Sequence, residues 1–124
     1  MYRRKIMNKI WTHHIGIEVK DMQKSIELYE AMGGVVNRTV DAKSIDKTLV
    51  FIEFGTTTIE LISSDTDRIA HVAYYVSHKD DIPLPIDQAD KCLYIPEINK
   101  VCYFFENETI EYMVPANAGN FVRA

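Results

Sequence analysis

From His14 the chain alternates. In "HIGIEV" the positions Ile15, Ile17 and Val19 are apolar, and His14, Gly16 and Glu18 fall between them. A period of two predicts a strand with two unlike faces. The period then lengthens: Met22, Ile26 and Tyr29 recur at helical spacing, Asp21 stands where an N-cap belongs, and Gly33-Gly34 follow. A helix is therefore expected over residues 22–32. Three β-rich runs come next, "GVVNRTVD" (34–41), "TLVFIEFG" (48–55) and "TTIELIS" (57–63), the last two joined as a hairpin at Gly55-Thr56. Residues 11–64 thus read βαβββ. Beyond a linker at Ser64–Arg68, strands are expected near 70–76, 91–95, 99–106 and 108–114. The stretch between the first two, "SHKDDIPLPIDQAD", holds Pro83 and Pro85. Proline interrupts a regular helix, so the second helix is expected to be reduced or missing.

The two halves echo each other. "FGTTTIELIS" from Phe54 and "FENETIEYMV" from Phe105 share Phe and then Thr-Ile-Glu, so Glu60 and Glu111 occupy matched positions. "HIGIEV" from His14 resembles "HVAYYV" from His71 in the same way. The chain reads as two copies of one unit, module 1 over 11–64 and module 2 over 65–124, within a single domain. Each copy opens with a His at the head of a strand and closes with a Glu inside one. The fold class is α+β, a curled mixed sheet of two βαβββ modules. Residues 1–10 are read as an N-terminal tail, and the start at Met1 or Met7 is left open.

Alternation assigns faces. His14, Glu60, His71 and Glu111 each lie opposite the more apolar side of their strands. If helices cover that apolar side, all four project from the other, and a curled sheet gathers them in its concavity. Two imidazoles and two carboxylates make a donor set for one divalent cation, Zn, Ni, Co, Mn or Fe. No thiolate is placed to join them, which argues against a structural zinc site. A cation would also satisfy the charge of Glu60 on an inward face. His13 is expected to point away from His14, His78 to be solvated in its acidic loop, and Asp80-Asp81 to form a surface turn. Tyr75, Met113 and Ile62 are candidates to line a pocket or to pack.

Charge narrows the partners. The net charge of −4, with basic residues clustered only at the start, argues against nucleic acid, because phosphate binding needs grouped Lys and Arg. No apolar run is long enough to span a bilayer. Two cysteines, Cys92 and Cys102, read as reduced thiols in a cytoplasmic protein rather than a disulfide framework.

The stretch "HHIGIEVKDMQKSIELYEAMGG" followed by "FIEFGTTTIELIS" resembles the vicinal oxygen chelate superfamily, which includes glyoxalase I, methylmalonyl-CoA epimerase, bleomycin resistance proteins and extradiol dioxygenases. The resemblance implies paired βαβββ modules forming a cup around one divalent metal, usually in a homodimer. It carries the ligand positions onto His14, Glu60, His71 and Glu111. It implies a lyase or isomerase of glyoxalase type acting on a small molecule, a thioester or thiol adduct. A proton next to a carbonyl is removed through an enediolate, with Glu111 as the base and Glu60 serving the other face. Alternatives within the same resemblance are methylmalonyl-CoA-epimerase-like racemisation, a non-catalytic small-molecule binding protein, and a ring-cleaving dioxygenase. Glu60 weighs against the last, whose members lack a ligand on that strand.

Overall fold

The computed structural model describes residues 10–117 and 119–121. The expected tail therefore lies, apart from Ile10, outside the described residues. Among those residues the chain forms one α-helix, α1 (Met22–Ala31), and eight strands: β1 (Ile10–Val19), β2 (Val35–Ala42), β3 (Lys47–Phe54), β4 (Thr57–Ser63), β5 (Arg68–Val76), β6 (Lys91–Ile95), β7 (Lys100–Phe105) and β8 (Ile110–Pro115). The Asp21 carboxylate accepts the Lys24 amide at 3.0 Å, satisfying one of the amides that a helix start leaves open. Gly33, at φ +102, ends the helix in a conformation that costs other residues a clash of Cβ with backbone.

The strands form one curled mixed sheet in the order β2-β3-β4-β1-β5-β8-β7-β6. Its symmetry is that of the repeat. β1 and β5 pair antiparallel at the centre, β4 runs parallel to β1, and β8 runs parallel to β5. The four central strands are therefore those that carry His14, Glu60, His71 and Glu111.

The convex side differs between halves. α1 lays Met22, Ile26 and Tyr29 on Val19, Val50, Ile52 and Leu61. Among the described residues of the second half no α-helix forms. Two single 3-10 turns, Lys79–Asp81 and Ile86–Gln88, carry Ile82, Leu84 and Ile86 onto Val76, Val101, Tyr103 and Val114 instead. The prolines remove the helix, and the apolar residues between them still cover the sheet. The concave side holds a third apolar layer, including Leu49, Phe51, Ala73, Cys102, Phe104 and Met113, drawn from both halves. The linker is tied down by Glu18, whose carboxylate accepts from Ser64 Oγ, Thr66 Oγ1 and Arg68.

The hairpin turns also differ. Gly55 makes the β3–β4 turn at φ +55, whereas Glu106, Asn107 and Glu108 all sit at positive φ between β7 and β8. Three left-handed non-glycine residues in succession are strained, and Glu108 stands at the rim of the concave cavity.

Candidate metal centre

The register of the central strands builds the site. Gly16 pairs with Glu60 on β4 and with His71 on β5, and His14 lies two residues away on the same face. Glu111 pairs with Ala73 on β5, two residues beyond His71. The four side chains converge within one chain. They are 2% (His14), 6% (Glu60), 8% (His71) and 4% (Glu111) exposed, so their charges have no solvent to fall back on.

The distances are short and mutual. His14 Nε2 lies 3.1 Å from Glu60 Oε1 and 3.5 Å from Glu111 Oε1, while His71 Nε2 lies 3.6 and 3.0 Å from the same two oxygens. The two Nε2 atoms are 3.2 Å apart. Ligands about 2.1 Å from a cation stand roughly 3.0 Å apart at an octahedral corner and roughly 3.4 Å apart in a tetrahedron. The spacings of 3.0, 3.1 and 3.2 Å fall in that range, and those of 3.5 and 3.6 Å lie just above it. His14, Glu60 and His71 form the group whose donor atoms all lie within 4.8 Å of one another and could hold a metal ion. Glu111 approaches both imidazoles but stands outside that group.

Protons alone serve this cluster poorly. Burial pulls both imidazoles down, yet the carboxylates of Glu111 and Glu60 outweigh it and raise His14 and His71 to about 9. Burial pushes the carboxyls up, and the two imidazoles more than reverse that, so Glu60 and Glu111 are held below the usual range. In the protonated state two N–H groups then point into the same small space. Glu111 Oε1 has no well-aligned donor among the described residues, although His71 Nε2 is 3.0 Å away. That distance is right for a hydrogen bond; the angle is not. A divalent cation would meet all four groups at once and replace two protons without changing the net charge of the cluster.

One expectation is overturned here. His13 does not point away from His14: its Nδ1 is 2.8 Å from His14 Nδ1. The β1–β5 register shifts between Thr12 and His14, and this bulge turns His13 out of strict alternation. Burial first, and the charge of His14 second, lower the pKa of His13. His13 therefore accepts from the His14 Nδ1–H and leaves Nε2 facing the carboxylates, a support for a ligand imidazole. His78 keeps a solvent-exposed side chain in its acidic loop, and its Nδ1 accepts the Asp80 amide at the turn Lys79–Asp81. Ile62 and Met113 do line the cavity beside the quartet, while Tyr75 packs on the concave layer.

Gly16 is a site residue that the sequence placed on the right face without showing why it is glycine. A Cβ there would sit 2.3 Å from His71 Nε2. Gly16→Ala is expected to displace the His71 ring and weaken metal binding by about tenfold or more, read by metal titration, with the sheet still folded by circular dichroism.

Two cavities flank the quartet. The larger, about 430 Å³, has apolar walls including Ile62, Leu93, Phe104 and Met113, and a rim with Lys47 and the pairs Arg68–Glu18 and Lys91–Glu108. The smaller, about 230 Å³, is lined by His13, Arg38, Thr58 and Lys100 among others.

The fold is the one seen in methylmalonyl-CoA epimerase and in part of glyoxalase I. Among solved structures, methylmalonyl-CoA epimerase from Mycobacterium tuberculosis matches at TM-score 0.70 and 16% identity over 94% of each chain. A variant of the Streptomyces coelicolor methylmalonyl-CoA epimerase, in complex with 2-nitronate-propionyl-CoA, matches at TM-score 0.70 and 16% identity over 92% of this chain and 99% of that one. A mutant of glyoxalase I from Zea mays matches at TM-score 0.64 and 13% identity, over 87% of this chain and 44% of that one. No family model matches the chain, and no curated protein does. Among the described residues no helix is long and apolar enough to cross a membrane.

Proposed function

We propose that His14, Glu60, His71 and Glu111 hold one divalent metal ion, and that the protein is a metal-dependent lyase or isomerase of glyoxalase type. The observation that carries this reading is Glu111 Oε1: a buried carboxylate oxygen, 3.0 Å from His71 Nε2, left without a hydrogen bond among the described residues. When bound, the metal supplies Lewis-acid polarisation of substrate oxygens. The chain's own groups do the rest. Glu111, whose Oε1 lies 3.5 and 3.0 Å from the two Nε2 atoms and lacks a hydrogen bond among the described residues, is the carboxylate we assign to take a proton from the carbon next to a carbonyl. It returns that proton to the neighbouring carbon in an isomerisation; in an epimerisation Glu60 first takes up a proton from solvent and delivers it to the opposite face, while Glu111 gives up its own to solvent. The apolar walls of the larger cavity exclude water from the carbanionic intermediate and suit a short acyl group. Likeness to epimerases, one in complex with methylmalonyl-CoA, supports an acyl thioester as the substrate class. A homodimer is the expected assembly.

The test is solvent deuterium exchange. Metal-loaded protein is incubated in D2O with a 2-methyl acyl thioester and, separately, with the adduct of methylglyoxal and a thiol. One deuteron is expected in the substrate or product of one of the two, and Glu111→Gln is expected to slow its entry at least about 100-fold. Metal bound without exchange in either would leave a small-molecule binding protein. Failure to bind metal would sink the reading altogether.

A further inference from the structure

Two short turns lean over the concave face from opposite halves. Lys43–Ile45 joins β2 to β3, and Pro96–Ile98 joins β6 to β7. Each ends in a left-handed residue, Asp46 at φ 55 and Asn99 at φ 54, a conformation that Asp and Asn tolerate better than most. Each closes on itself in the same way, the Asp46 amide donating to Lys43 O at 3.2 Å and the Asn99 amide to Pro96 O at 3.1 Å. Their sequences, "KSIDK" (43–47) and "PEINK" (96–100), match at Ile, at Asp/Asn and at Lys. The repeat therefore reaches these turns, and Ser44 and Glu97 hold equivalent places in its two copies.

Those two residues touch. Ser44 Oγ donates to Glu97 Oε1 at 2.6 Å, the Ser44 amide donates to Glu97 Oε2 at 2.9 Å, and Arg38 Nη2 donates to Glu97 O at 3.2 Å. Contact between equivalent positions puts the link close to the pseudo-twofold axis, where the sheet's two outer strands curl toward each other. Beneath it, Ile45 and Ile98 pack into the apolar layer that also holds Cys102 and Met113. Ile98 lines both the larger and the smaller cavity. The joined turns thus bridge the open side of the cup and leave a mouth on either side.

We propose that the Ser44–Glu97 link is a strap that gates the quartet: closed, it presses Ile45 and Ile98 onto the concave layer; open, it bares that layer and the groups below. Exposed hydrogen bonds between two single turns belong to the part of a fold that opens first, while the central strands stay paired. Both side-chain bonds of the link run from one serine to one carboxylate, so a substitution at Glu97 removes both and leaves only the Arg38 bond to the Glu97 carbonyl. What the strap retains rests on the metal reading; that it opens does not.

Cys102, fully buried in the covered layer, reports opening without any metal. With Cys92, the exposed thiol, replaced by serine, reaction of Cys102 with dithionitrobenzoate is measured on metal-free protein at one pH. Glu97→Ala is expected to speed it at least tenfold, and Glu97→Gln, which keeps an acceptor for Ser44, to stay near the parent rate. Amide exchange should quicken at 43–47 and 96–100 and not in β1 or β5. An unchanged Cys102 rate, or exchange that rises evenly through the sheet, would overturn the gate. In a second arm Zn²⁺ is loaded and stripped with a chelator, and Glu97→Ala is expected to release it at least tenfold faster. If the parent takes up no Zn²⁺ the metal reading fails, while the Cys102 arm still decides the strap.

Discussion

Replacing His14 with alanine is expected to destabilise the metal-free protein by about 3–5 kcal/mol, the usual cost of removing one partner from a buried ionic group. His14 is 2% exposed and lies between two carboxylate oxygens, 3.1 and 3.5 Å from its Nε2. Without it, two buried carboxylates share one imidazolium, and one carboxylate must take up a proton or remain unpaired. Denaturant unfolding at neutral pH measures the loss, and metal titration should show affinity reduced at least about 100-fold, more than the loss of an outer support produces. Glu60→Gln should behave differently. It removes a negative charge, so one imidazole can release its proton in compensation. Its stability cost should be smaller and should shrink as pH rises, while metal affinity still falls. A His14→Ala protein as stable as the parent would mean that the quartet is not the buried ionic group described here.

Metal binding at pH 7 is expected to release about two protons, because each ligand imidazole must be neutral before it can coordinate. His14 and His71 are raised to about 9, so both carry a proton at neutrality. Calorimetry in buffers of different ionisation enthalpy counts the protons. Affinity should rise about 100-fold per pH unit between roughly pH 6.5 and 8.5 and level off above about 9. Two unperturbed histidines would level off near 6.5 instead. The metal-free protein has the opposite slope. A raised imidazole contributes stability that is complete below its unfolded pKa, near 6.5, and is lost as pH rises through about 9. The depressed Glu60 and Glu111 contribute above the ordinary carboxylate range, and that part is lost as pH falls below it. Metal-free protein should therefore be most stable between roughly pH 4.5 and 6.5, and the loaded protein above it. A thermal melt across pH with and without chelator makes the comparison.

Much of the fold was legible because it rests on local periodicity. The alternation of "HIGIEV" and "TTIELIS", the Asp21 cap and the Pro83/Pro85 break each act within a few residues, and each appears where expected. The facing of the quartet was legible too, because side chains in a paired strand alternate whatever the strand lies against. His13 shows the limit. Alternation sent it to the wrong side, since a bulge depends on how β1 pairs with β5, two segments nearly sixty residues apart. Gly16 shows another: its face was read correctly, but the reason for glycine lies in the His71 ring of the neighbouring strand.

The residues by themselves determined a duplicated βαβββ plan, a lost second helix and four polar groups turned away from the apolar side of their strands. Only the tertiary structure decided that the four converge within one chain, that His13 leans on His14, and that Ser44 meets Glu97 over the cup. The first set follows from backbone geometry and spacing, which act along the chain. The second follows from strand order, register and curl, which bring together residues that no local pattern relates.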